Sequence, residues 1–130
     1  MARKPSKKNF TPDARGPLNG VRVVDLSRLV AGNILTLQLA DFGAEVIKVE
    51  PPSGSPTRAL APLVEGADGT TTSGVFAYLN TNKKSVALDL AREADRALLH
   101  KLVASADAVI DDQGEAWLEA LGLGPKSGSK

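Results

Sequence analysis

Val21-Arg22-Val23-Val24-Asp25-Leu26 is a short aliphatic run rich in β-branched residues, set behind the turn sequence Pro17-Leu18-Asn19-Gly20. Such a run reads as a buried strand over 21–26. Ser27 to Gly32 follows as a loop. Asn33 to Phe42 is apolar around most of a helical circumference and meets Gly43, which predicts a buried helix that stops there. Glu45-Val46-Ile47-Lys48-Val49-Glu50 predicts a second strand, closed by Pro51-Pro52. Strand, helix and strand over so short a stretch form a βαβ unit, with parallel strands and a right-handed crossover.

Residues 51–74 are rich in Pro, Gly, Ser and Thr, and no element is predicted in them. A loop of that length points to a functional or partner-ordered segment. Ser85 to Leu90 predicts a third strand. Ala94, Ala97, Leu98, Leu102 and Ala106 recur at helical spacing and predict a helix over 93–106. Asp107 to Asp111 predicts a fourth strand, and Glu115 to Leu121 a last helix before Gly122. The order β-α-β-loop-β-α-β-α is that of an α/β fold with a doubly wound, Rossmann-like parallel sheet. Its ordered domain is expected over 17–124, between a polar, basic, disordered tail at 1–16 and a flexible tail at 125–130.

Charge narrows the function. The chain has 130 residues and a formal net charge of +1. Residues 1–15 hold five cations against one acid, so the remainder is net acidic. A nucleic-acid-binding domain is therefore not expected. With no cysteine and a single histidine, His100, the chain cannot supply a disulfide framework, a Cys or His zinc site or a Ser-His-Asp triad of its own. No apolar run reaches the ~20 residues of a membrane span. The first ten residues lack the apolar stretch of a secretory signal. A cytoplasmic protein without a membrane partner is expected.

Ligands of such a sheet bind beyond the carboxyl ends of the strands. Those ends carry Asp25, Glu50, Asp89 and Asp111, each able to accept a ribose hydroxyl or to cap the next helix. The dinucleotide fingerprint G-x-G-x-x-G is missing from the first loop, where Gly32 stands alone, and no Walker-type phosphate loop occurs. The pair Asp111-Asp112 and the pair Lys83-Lys84 read as solvated surface charges. His100 reads as a surface residue, and Trp117 as a packing residue of the last helix.

The run PLNGVRVVDLSRLVAGNILTLQLADFGAEVIKVEPPSGSPTR, followed by FAYLNTNKKSVALDL, LLHKLVASADAVI and LEALGLG, closely resembles the N-terminal part of the family III CoA-transferases. That family includes formyl-CoA transferase, carnitine CoA-transferase and α-methylacyl-CoA racemase. The resemblance implies a Rossmann-like large domain that takes coenzyme A or acyl-CoA as substrate, without a prosthetic group. It places Leu29, Val30 and Ala31 of the first loop near CoA. It also places Leu88, Asp89, Leu90 and Ala91 at the adenosine portion, and Asp112, Gln113 and Gly114 against CoA after the fourth strand.

The chain departs from the family pattern at three positions where many members carry a cation: Pro51 after the second strand, Ala91 after the third, and Gly114 within Asp112-Gln113-Gly114-Glu115-Ala116. The family's nucleophile, an aspartate that forms an anhydride and then a CoA thioester, lies beyond the matched region, and no residue of 1–130 aligns with it. The resemblance thus implies an N-terminal, CoA-binding segment, inactive by itself. Its expected companion is a complementary chain or a second copy of itself, docked on the surface around Ile34, Leu37, Gln38 and Phe42. The alternative is a stand-alone α/β module that binds a partner, or CoA weakly, without catalysis.

Overall fold

The computed structural model describes residues 15–124. The expected tail at 125–130, and all but the last two residues of that at 1–16, lie outside the described residues. The elements run β1 (Arg22–Asp25), α1 (Val30–Asp41), β2 (Glu45–Glu50), a 3-10 turn (Pro56–Ala59), β3 (Leu63–Glu65), β4 (Thr71–Ser73), α2 (Gly74–Leu79), β5 (Lys84–Ala87), α3 (Glu93–Ala104), β6 (Ala108–Ile110) and α4 (Glu115–Ala120).

Four strands form one parallel sheet in the order β5-β2-β1-β6. The chain starts at the centre, steps outward through β2 to β5, then returns across the sheet to β6. That is the doubly wound arrangement expected from sequence. Alternation along β1 divides the core. Val23 and Val46 face α1 with Ala40 and Ala44. Val24, Leu26 and Val49 face the other way with Leu88 and Leu99, and Leu102, Val103, Trp117 and Leu118 pack against them. Period-two alternation in a strand buried on both faces produces this division.

The α1 face of the sheet also carries charge. Asp25 and Lys48 are register partners on β1 and β2, and their side chains are 0% and 1% exposed. Lys83, whose side chain is 1% exposed, reaches the same carboxylate at 3.3 Å, and Lys48 stands 3.6 Å from it. Thr36 donates its hydroxyl to Asp25 Oδ2 at 2.7 Å, and the Ser27 amide donates to Oδ1 at 2.9 Å. Lys48 Nζ donates to the Ser27 carbonyl, and Lys83 Nζ to the Asn33 carbonyl and to Asn80 Oδ1. Burial holds both ammonium groups below the usual lysine range, while the Asp25 charge pulls them back up. The expectation that Lys83 is a solvated edge residue is thus corrected. Lys84, 70% exposed and paired with Glu45, does fit it.

Three further expectations change. The segment 51–74 is not structureless. Ser55 caps the 3-10 turn, β3 and β4 pair as an antiparallel hairpin, and Ser73 caps α2 through the Phe76 amide at 3.1 Å. Elements of three to six residues leave too few positions for a periodic pattern. Secondly, α1 is buried on one face only. Asn33, Thr36, Leu37 and Ala40 are inside, whereas Ile34, Leu35 and Phe42 are 41%, 44% and 57% exposed. Leu37 belongs to the core and not to a docking surface. Thirdly, α1 begins at Val30 rather than Asn33, and β5 spans 84–87 rather than 85–90.

Asp25→Asn leaves two buried lysines facing each other without a counter-ion and is expected to cost about 3–5 kcal/mol in urea unfolding. Lys83→Met leaves the single pair Asp25–Lys48 and is expected to cost less, about 1–2 kcal/mol. Equal losses for the two variants would contradict this ordering.

Candidate functional site

At the carboxyl ends of the parallel strands lies a cleft of about 290 Å³. Its apolar floor is Leu26 at the end of β1, Val49 on β2 and Leu88 after β5. Pro51 and Pro52 form one lip, and Trp117 from α4 forms part of the wall. Arg28, Glu50, Asp89, Leu90 and Gln113 complete the lining. This is the crevice that a doubly wound sheet offers a ligand.

Hydrogen bonds fix the loops around it. The Asp112 carboxylate accepts the Arg28 amide at 2.9 Å and the Leu29 amide at 2.7 Å. It clips the loop after β6 to the N-terminus of α1. No side chain of Leu29 caps that helix, and Asp112 takes over the role from across the sheet, which lets α1 start early. The first turn of α1 also lies very close to the end of β1: a Cβ on Gly32 would sit 2.3 Å from Ser27 Cβ, so only glycine fits. The Asp111 carboxylate accepts the Gln113 and Gly114 amides at 3.0 and 2.9 Å. The two acids are half-buried turn acceptors, which corrects their expected role as a solvated pair. After β5, Asp89 accepts the Ala91 amide, and Arg96 holds the Leu90 and Ala91 carbonyls, each at 2.9 Å.

The candidate residues therefore fall into three sets. Leu88, Asp89, Leu90 and Gln113 line the cleft. Ala91, Asp112 and Gly114 stand in the loops behind those residues. Leu29, Val30 and Ala31 are exposed at the start of α1, outside the cleft lining. Arg28 and Trp117 line it without having been nominated from sequence. The spacing did hold a clue to Arg28, which lies three residues beyond the end of β1.

Electrostatically the cleft is balanced. Glu50 is clamped by Arg58, with Nε 2.7 Å from Oε2 and a second guanidinium nitrogen 2.9 Å from Oε1. Ser85 and the Ser55 amide add bonds of 2.7 and 2.8 Å. Burial pushes the Glu50 carboxyl up, but these donors outweigh it and hold it down at about 2. The Arg58 guanidinium lies over the Phe76 ring, 3.8 Å from its centroid, a cation–π contact that orients the clamp. Arg28 is half exposed, stands 4.0 Å from Asp112 at the outer limit of an ion pair, and lines the cleft. Among the described residues, no three metal-ligating acids or histidines converge, and no helix is long and apolar enough to cross a membrane. His100 bonds the Leu121 carbonyl at 2.7 Å and ties α3 to the end of α4.

A sequence model described as CoA-transferase family III matches residues 18–130. Succinate–glutarate CoA-transferase of Agrobacterium fabrum is 42% identical over 115 residues, covering 86% of this chain and 29% of that protein. Human succinyl-CoA:glutarate CoA-transferase is 38% identical over 109 residues, covering 83% of this chain and 24% of that protein. Among solved structures, a CAIB/BAIF family protein from Brucella suis superposes with a TM-score of 0.80 at 37% identity, over 88% of this chain and 30% of that one. The chain thus spans less than a third of the length of these relatives.

The Glu50 clamp carries a pH signature. Unfolding releases the carboxyl to its ordinary value of 4.5, so between about 2 and 4.5 the unfolded state binds more protons. The clamp's contribution is complete above that window and is lost as the pH falls through it, a decline on the order of 3 kcal/mol. Glu50→Gln should melt lower than the parent at pH 7, with the gap closing towards pH 2. A gap that stays constant across that range would contradict the assignment.

Proposed function

The chain belongs to CoA-transferase family III, and from that premise we propose that it is the CoA-binding segment of an acyl-CoA:carboxylate CoA-transferase whose nucleophilic aspartate lies outside these 130 residues. It forms part of a CoA-transferase domain. The observation that carries the finer reading is the cleft itself. It opens at the strand ends, its walls are mostly apolar, and Leu88, Asp89, Leu90 and Gln113 stand together in it with Arg28. The apolar walls suit a ring system, and Arg28 offers a charge-assisted bond to a phosphate.

In the reaction this reading implies, the aspartate attacks the acyl-CoA carbonyl and CoA leaves as the thiolate. The thiolate then returns to the acyl-enzyme anhydride, freeing the first acid and leaving an enzyme thioester for the second acid to attack. The present residues take no part in bond making. Their task is to hold the nucleotide end of CoA, a remote handle whose binding energy positions the thioester. Coenzyme A is thus a substrate, and no prosthetic group is proposed. The exposed apolar residues Ile34 and Leu35 on α1, Phe42 at its C-terminal cap, Leu63 and Val64 on β3 and Tyr78 on α2 support a further protein surface as cover: a complementary CoA-transferase chain or a second copy.

One observation favours a second reading, a module with weak CoA affinity and no catalysis. The Asp112 carboxylate already occupies the Arg28 and Leu29 amides. Those donors are therefore not offered to a ligand phosphate, and a negative charge sits where an anion would approach.

Calorimetry of the whole chain with CoA tests both readings. One CoA per chain is expected, with a dissociation constant on the order of 100 μM. Asp112→Asn keeps an acceptor for the loop amides, removes the charge and should tighten binding about three-fold. Acyl exchange between acyl-CoA and a free carboxylate should stay undetectable for the chain alone. Absence of CoA binding at millimolar ligand would overturn the proposal, and exchange by the isolated chain would overturn the assignment of the nucleophile elsewhere.

A further inference from the structure

Trp117 is the only tryptophan of the chain, and sequence alone explains it as packing. The structure gives it two surroundings. It packs against the core cluster built on Val24, Leu26, Val49, Leu88 and Leu99. It is also half-buried and forms part of the cleft wall. Its helix, α4, starts immediately after the loop that Asp111 and Asp112 hold in place. Leu118 and Leu121 anchor the same helix in that core cluster. The indole is therefore held from behind and open to the cleft.

We propose that Trp117 is the stacking platform for the planar purine base of the CoA nucleotide and sets the cleft's preference for a nucleotide over an aliphatic ligand. The inference rests on the proposed CoA binding and assigns a residue to it. Three features support it. Among the described residues, Trp117 is the one aromatic side chain lining the cleft, whose other apolar walls are aliphatic or proline. At about 290 Å³ the cleft is at the small end of ligand pockets, a size for a ring system rather than for a whole CoA. Arg28 lines the same cleft, so a base seated on the indole brings the phosphates of its ribose within reach of a guanidinium. Stacking also compensates for neutral loop positions, because it needs neither a cation nor a sequence-specific hydrogen bond.

With a single tryptophan, the emission of the whole chain reports this site alone. CoA and adenosine 3′,5′-bisphosphate are expected to quench it along a curve matching the calorimetric isotherm for CoA. Pantetheine, which lacks the nucleotide, should leave it unchanged. Trp117→Leu keeps an apolar side chain against the core and should weaken CoA about ten-fold, with pantetheine binding unaltered. Trp117→Phe keeps a smaller ring and should fall between the two, and it serves if the leucine variant does not fold. CoA binding seen by calorimetry without a change in emission would overturn the role of Trp117 and leave the CoA reading standing, as would equal CoA affinity in the parent and the folded variants. No calorimetric binding of CoA to the parent would remove both.

Discussion

A carboxylate with no access to water lies at the centre of this molecule. Asp25 sits on the central strand β1 and is completely buried. It has to be compensated from inside, and the compensation comes from four places in the chain. Lys48 reaches it from β2, Thr36 from α1, Ser27 from the loop after β1, and Lys83 from the turn before β5. A buried charge of this kind is not an efficient source of stability, because desolvation offsets most of the attraction. What it supplies is a junction: four segments meet on Asp25.

The cleft depends on that arrangement. Thr36 and the Lys83 bond to the Asn33 carbonyl tie α1 to the sheet, and Gly32 lets its first turn lie almost on Ser27. This sets where Arg28 and Leu29 present their amides, and those amides receive Asp112 from the far side of β1. The loop after β6 is thereby fixed, and with it the start of α4 and Trp117. The other flank is held by a second charge cluster. Glu50, at the end of β2, is clamped by Arg58, Ser85 and the Ser55 amide. The proline lip that follows Glu50 is anchored by the same bonds. Two buried acids on one face of the sheet thus determine the shape of a ligand cleft that opens chiefly on the other.

Much of the frame was legible in the chain. The β-branched runs around Val23 and Val46, the stop at Gly43 and the apolar spacing of the helix after Glu93 all produced the elements they predict. The polar layer was not, although it left a mark. Asp25 and Lys48 each interrupt an aliphatic strand, and in a sheet covered on both faces a charge at such a position has to meet its opposite. The pairing of β1 with β2 makes them register partners. Lys83 left no mark, because a lysine beside a second lysine in a turn looks solvated until the fold closes over it. The hairpin of β3 and β4, the 3-10 turn capped by Ser55 and the six-residue α2 capped by Ser73 were hidden by their length. Trp117 was visible as an aromatic residue on a helix, but only the meeting of α4 with the strand ends turns it towards a cleft.

The proposed function has a nucleotide-bearing thioester seat at the strand ends that the Asp25 layer holds in place. Amide hydrogen exchange of the whole chain, with and without saturating CoA, tests it most directly. Slower exchange is expected in the segments 26–31, 49–52, 88–91 and 111–117, with the β3–β4 hairpin and the outer face of α1 unchanged. Protection confined to that hairpin or that face, with the strand ends unaffected, would contradict it.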